Sequence, residues 1–252
     1  MKLSYVRRGE GKDLVFLHGY LASKESFAPQ IGYFSRYYRV TALDFPGFGG
    51  AEPLPAAWSV SDYADWTRDA LAALGIAFPH VVAHSFGGRV AVKCLSRGEL
   101  FDRAVLTGCA GIVPRRTAGY RVRVGCYRAV RRLAPGFAER HFGSREYRTL
   151  PPLMRESYKK IVNEDLRGDA ARITRPVLFV CGSEDKETPL SSQRVYVRAV
   201  KGSSLYVMEG CGHFAHLEDA LAFNVKTEEF LRWESGRSSP TSRAACLRDT
   251  SL

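Results

Sequence analysis

Val81-Val82-Ala83-His84-Ser85-Phe86-Gly87-Gly88-Arg89-Val90 reads as a short apolar strand, an abrupt turn and the opening of a helix. A residue at such a turn is held in a strained backbone conformation, so its neighbours two positions either side must be small to let strand and helix approach. Ala83 and Gly87 meet that requirement. Ser85 then stands clear of a sheet at the start of a helix, where backbone N–H groups and the positive dipole end steady an anion. The pattern is G-x-S-x-G with alanine at the first glycine. Taken alone it fits a plain glycine-rich turn as well as a nucleophile, and what separates the two is whether an acid and then a histidine follow.

Both follow. Val177-Leu178-Phe179-Val180 is an apolar strand that runs into Cys181-Gly182-Ser183-Glu184-Asp185-Lys186-Glu187-Thr188-Pro189. A carboxylate in the loop beyond a buried parallel strand reaches across the carboxyl edge of the sheet, where open α/β folds bind ligands. Asp185 is the expected acid, with Glu184 as the fallback. Leu205-Tyr206-Val207-Met208 is the next strand, and the Gly-flexed loop after it carries His213, the expected base. His216 lies nearer the following helix and is read as a loop brace. His80, His84 and His141 receive no catalytic assignment.

Upstream of the serine, Leu3 to Val6 and Leu14 to Leu17 read as strands, the second apolar throughout and ending at His18-Gly19-Tyr20. The glycine permits a tight turn whose following N–H can point into a site, so the Tyr20 and Phe86 N–H groups are the expected oxyanion hole. His18 is read as a brace for this loop and not as a base. Ser26 to Phe34 is expected to be a short helix and Arg39 to Leu43 a strand. Asp44, in the glycine-rich run Asp44-Phe45-Pro46-Gly47-Phe48-Gly49-Gly50, is read as a loop-fixing carboxylate because it precedes the serine. Ser59 to Asp62 is a capping-box pattern opening a helix that ends at Gly75. After the helix that follows Ser85, Arg103 to Thr107 is a further strand whose far end carries no carboxylate.

Across residues 1 to about 234 the chain resembles the α/β-hydrolase superfamily. His18-Gly19 after a strand, Asp44-x-x-Gly47-x-Gly49, Ala83-His84-Ser85-Phe86-Gly87-Gly88, Gly182-x-x-Asp185 and Gly212-His213 fall in that family's order. The resemblance implies an eight-stranded, mostly parallel sheet with helices on both faces and a cap inserted after the sixth strand. On that division residues 1–112 and 173–234 form the core and 113–172 an arginine-rich helical cap. Residues 235–252 are expected to be a disordered tail. A serine nucleophile disfavours the epoxide-hydrolase and dehalogenase branches, which require a carboxylate there.

Two chemistries stay open. One is hydrolysis of a small ester by the Ser85, His213 and Asp185 triad. The other is carbon–carbon bond hydrolysis, or an elimination like that of the menaquinone-pathway synthase, on a carboxylated substrate. Arg89 follows the nucleophile by four residues, and in that synthase an arginine so placed helps bind substrate carboxylate. The alternative is that Arg89 only pairs locally. A non-catalytic ligand-binding protein on the same scaffold is a third reading. No metal or organic cofactor is called for, and the expected partner is a small-molecule substrate.

The 252 residues carry a formal net charge of +11. Residues 113–172 hold 15 Lys/Arg against 6 Asp/Glu and the stretch from Ser235 holds 3 against 1, leaving the remainder neutral. A charge so confined argues against a basic face that follows a nucleic-acid backbone. There is no apolar run of transmembrane length and no signal-peptide core, so a cytoplasmic location is expected. The six cysteines are scattered without a C-x-x-C pair, which points to buried free thiols and not to zinc or disulfides.

Overall fold

The computed structural model describes residues 2–98, 100–113 and 150–232. Its seven-stranded sheet comprises β1 (Tyr5–Arg8), β2 (Asp13–Leu17), β3 (Arg39–Leu43), β4 (His80–His84), β5 (Ala104–Thr107), β6 (Val177–Gly182) and β7 (Ser204–Met208). They are ordered β1-β3-β2-β4-β5-β6-β7, and only the β1–β3 pairing is antiparallel. The expected eighth strand came from the resemblance alone. Here Tyr5–Arg8 pairs directly on the outer edge of β3, and no further strand lies beyond it among the described residues. Residues 113–172, expected to form the cap, accordingly come after the fifth of the described strands.

The helices are α1 (Ala28–Phe34), α2 (Val60–Ala73), α3 (Phe86–Arg97), α4 (Pro152–Asn163), α5 (Arg167–Ala170), α6 (Leu190–Ala199), α7 (Ala215–Glu218) and α8 (Ala220–Arg232). The helix expected over Ser26 to Phe34 splits into a 3-10 turn, Lys24–Phe27, and α1, which carries Pro29 in its first turn. Pro is tolerated there because the N–H it lacks would have no intrahelical acceptor. Helix α2 opens on the capping box: the Ser59 hydroxyl accepts from the Asp62 N–H, and the Asp62 carboxylate accepts from the Ser59 N–H.

Alternation along the strands sorts the core into two layers. Val15, Leu17, Val81, Ala83, Leu106 and Phe179 face α2, α3 and α6. Leu14, Phe16, Val40, Val82, Val105 and Val180 face the other way, toward Phe27, Ile31 and Phe34 and toward Phe223 and Leu231 of α8. The central strands are buried on both faces, as their unbroken apolar runs require. Cys94, Cys109, Cys181 and Cys211 are free and buried. Cys126 and Cys246 lie outside the described residues, as do most of the expected cap and all of the expected tail.

The chain leaves β2 toward β3 on one side and later returns to pair β4 on the other, so the order reverses between β2 and β4. Ligands in open α/β sheets bind outside the carboxyl ends of the strands at such a point. The loop after β2 and the β4–α3 turn both lie there. A Cβ on Gly87 would stand 2.2 Å from the Leu17 carbonyl oxygen, so the two meet backbone to backbone. Gly87→Ala is expected to destabilise the fold by about 1–3 kcal/mol or more, since main chain cannot step aside as a side-chain tip can. Urea denaturation of the purified variant measures it.

Candidate active site

Strand β4 is buried along its whole length and ends at His84. The next residue, Ser85, has φ 50° and ψ −105°, one of three non-glycine residues with positive φ among those described. Such a conformation costs on the order of 1–3 kcal/mol and persists only where the surroundings enforce it. Here the Ser85 N–H donates to the Thr107 carbonyl at 3.0 Å, and its own carbonyl accepts from Ala110 and Arg89 N–H at 3.3 Å each. The turn is thus pinned to β5 on one side and to α3 on the other. The Ser85 hydroxyl makes no capping bond to α3 and lines a cavity of about 700 Å³.

His213 and Asp185 meet beside that cavity. The His213 Nδ1–H donates to Asp185 Oδ2 at 2.9 Å, which leaves Nε2 as the ring's acceptor. Asp185 also accepts the Glu187 and Thr188 N–H groups at 2.8 and 2.9 Å and the Thr188 hydroxyl at 2.7 Å. Burial alone would raise its pKa. The hydrogen bonds from His213 and Thr188 outweigh that and hold it down to about 2. Asp185 is thereby held ionised against the His213 ring. Glu184, the fallback, is exposed, and its own N–H goes to the Cys211 carbonyl. Ser85 and His213 line the same cavity, although among the described residues no hydrogen bond joins them. Bonds of this kind are often loose until substrate arrives.

Tyr20 and Phe86 line the cavity as well, and neither backbone N–H has a protein acceptor among the described residues. The Tyr20 ring packs on Phe48, Phe86 and Tyr158, and its hydroxyl donates to the Met154 carbonyl at 3.2 Å. His18 is fully buried: Nδ1–H donates to the Gly19 carbonyl at 2.7 Å, and Nε2 accepts the Phe45 N–H at 3.1 Å. With both nitrogens engaged and burial lowering its pKa, His18 is a neutral loop brace. Asp44 accepts from the Lys24 N–H and ammonium, the Ser4 hydroxyl and the Gly50 N–H, and so fixes its glycine-rich loop.

Arg89 reaches the cavity from the second turn of α3 and is 8% exposed. Its Nη1 donates to the Ile161 and Glu164 carbonyls at 2.8 and 3.0 Å, capping the carbonyl end of α4, where a cation is favoured. No carboxylate lies within ion-pair distance of its guanidinium among the described residues. One turn on, Lys93 bridges Glu164 and Asp169 at 2.7 and 2.8 Å. The Ser157 hydroxyl and Lys160 ammonium of α4 donate to the Trp58 and Ala57 carbonyls. Helix α4 is thereby fixed across the cavity, with Tyr158, Ile161 and Val162 in its lining.

Three contributors escaped the sequence reading. Thr188 holds Asp185, and its signal was a hydroxyl three residues after the acid in a Pro-terminated turn. Glu218 accepts the Gly212 and Phe214 N–H groups at 2.6 and 3.2 Å, holding the main chain on both sides of His213. His84 donates from Nε2 to the His213 carbonyl at 3.0 Å. His216 braces its loop through its main chain and not its ring. Its ring nitrogens have no hydrogen-bond partner among the described residues, and the bond runs from the Gln30 amide to its main-chain carbonyl at 2.6 Å.

A strained serine at a strand-to-helix turn, above the carboxyl edge of a parallel sheet, is the architecture of the alpha/beta hydrolase family. The chain belongs to that family: its sequence model matches residues 14–225. The chain is 36% identical to (E)-2-((N-methylformamido)methylene)succinate hydrolase of Acinetobacter baylyi over 106 residues, covering 41% of this chain and 40% of that protein. It is 28% identical to 2-hydroxymuconate semialdehyde hydrolase of Pseudomonas putida, over 89% of this chain and 88% of that one. Among solved structures it resembles the meta-cleavage product hydrolase CumD of Pseudomonas fluorescens IP01, with TM-score 0.71 and 26% identity, covering 91% of this chain and 93% of that one. The chain is a hydrolase. No described helix is long and apolar enough to cross a membrane.

Proposed function

We propose that this hydrolase works by acyl transfer through Ser85 to water, with a small ester as substrate. The observation that carries the reading is the Asp185–His213 hydrogen bond beside the cavity that the strained Ser85 lines. Ser85 Oγ attacks the substrate carbonyl while His213 Nε2 takes its proton, and Asp185 stabilises the imidazolium. The Tyr20 and Phe86 N–H groups hold the oxyanion. His213 returns the proton to the departing alkoxide. Water, deprotonated by the same imidazole, then attacks the acyl-enzyme, and its collapse frees the acid and restores Ser85.

One observation favours a second reading, hydrolysis of a carbon–carbon or related bond in a carboxylated substrate. Arg89 brings an unpaired cation to the cavity, and the names of two relatives describe a succinate derivative and a muconate semialdehyde. Saturation kinetics on neutral esters and on analogues of the same length ending in a carboxylate separate the readings. Arg89→Met loosens α4 for both substrates alike, so only the difference between them reports on anion binding. If the cavity takes a carboxylate at Arg89, the variant raises KM for the carboxylated member about tenfold more than for the neutral one. Equal changes for the two would leave the neutral ester as the substrate class.

A further inference from the structure

His84 immediately precedes the nucleophile and is 2% exposed, yet the acyl-transfer chemistry assigns it nothing. The His213 carbonyl can only accept, so the bond of 3.0 Å requires the proton on His84 Nε2. Burial, aided by the neighbouring His216 and His213 imidazoles, pushes the pKa of His84 well below the ordinary histidine value, so the ring is neutral. Its Nδ1 therefore carries a lone pair and has no partner among the described residues. A Cβ placed on Gly19 would lie 2.8 Å from that nitrogen and 3.6 Å from Ser85 Cβ, so the ring fills the space between the loop after β2 and the nucleophile. Its centroid is 4.8 Å from that of His213 and 4.6 Å from that of His216. The three imidazoles are not arranged to hold a metal ion.

The loop that presents His213 contains Gly210 and Gly212 and has little intrinsic stiffness. Asp185 restrains only the ring. The main chain is restrained by Glu218 at the Gly212 and Phe214 amides and by His84 at the His213 carbonyl. We propose that His84 is a positioning residue for the catalytic base: its Nε2–H fixes the main-chain carbonyl of His213, so that the imidazole approaches Ser85 with its backbone already set. This rests on the reading of Ser85 and His213 as nucleophile and base.

The test compares His84→Leu, which removes the donor, with His84→Gln, whose amide N–H reaches about as far as Nε2. A misplacement of about 1 Å at a reacting group costs up to about 100-fold in rate. His84→Leu is therefore expected to lower kcat about 10- to 100-fold with KM within about twofold of wild type, and His84→Gln to recover most of the loss. Thermal melts confirm that each variant is folded, and His84→Met replaces the leucine variant if that does not fold. Equal losses in the donor-less and glutamine variants, or a kcat within twofold of wild type without the donor, would overturn the role. Serine labelling by a fluorophosphonate keeps the two levels apart. Failure of the wild type to label at Ser85 sinks the triad and the positioning role together, whereas normal labelling with an unchanged His84→Leu rate sinks only the latter.

Discussion

Replacing Ser85 with alanine is expected to lower kcat by about 10⁵-fold or more and to abolish labelling by a fluorophosphonate, while the thermal midpoint stays at or above that of the wild type. The loss is large because attack, proton transfer and acyl-enzyme formation all run through one oxygen, and removing it leaves only binding and the oxyanion donors to act on water. Stability should not fall, because the hydroxyl makes no capping bond to α3. The positive φ is set by main-chain bonds to Thr107, Ala110 and Arg89 that alanine keeps. Residual turnover within tenfold of wild type would place the nucleophile elsewhere.

The second large effect is expected from Asp185→Asn, with kcat lowered about 10⁴-fold while the fold is retained. An amide accepts from the imidazole less strongly, can present an N–H in place of the acceptor and so favours the wrong tautomer, and does not balance the imidazolium. The same carboxylate makes a second prediction, on stability. Its folded-state pKa, about 2, lies below the unfolded value of about 4, so its contribution is fully present above that unfolded value and is lost as pH falls through the folded one. The stability difference between wild type and Asp185→Asn should therefore be constant above about pH 5 and narrow steadily toward pH 2. Urea titrations at stepped pH follow it. A difference that stays flat to pH 2 would mean that Asp185 is not held ionised by these bonds.

The order of Ser85, Asp185 and His213 could be read from the chain because each follows a recognisable apolar strand, and strand ends are where a parallel sheet gathers its chemistry. The roles of His18 and Asp44 were legible for a similar reason, since turn-rich loops need internal acceptors and donors. The strand count taken from the resemblance exceeds by one the seven strands of the described residues, which match the seven runs the residues themselves mark. What stayed hidden depends on how loops fold back. Glu218 meets two amides four and six residues upstream, and His84 meets a carbonyl 129 positions away. Neither distance leaves a period or a motif. Arg89 shows the limit from the other side. Its place four residues after the serine suggested an anion site, but its engagement with the end of α4 could only emerge once that helix was laid across the cavity.

Leu150, Met154 and Ile161 belong to the same buried cluster as the sheet and helices α2 and α3. Together with the bonds from Ser157, Lys160, Arg89 and Tyr20, this makes the roof over Ser85 a continuation of the main core and not a hinged flap. Lifting α4 would expose core surface and break these bonds at once. Leu21 and Phe214, two apolar side chains about half exposed, also line the cavity. Exposed apolar surface at a cavity favours molecules that can lay a water-averse end against it.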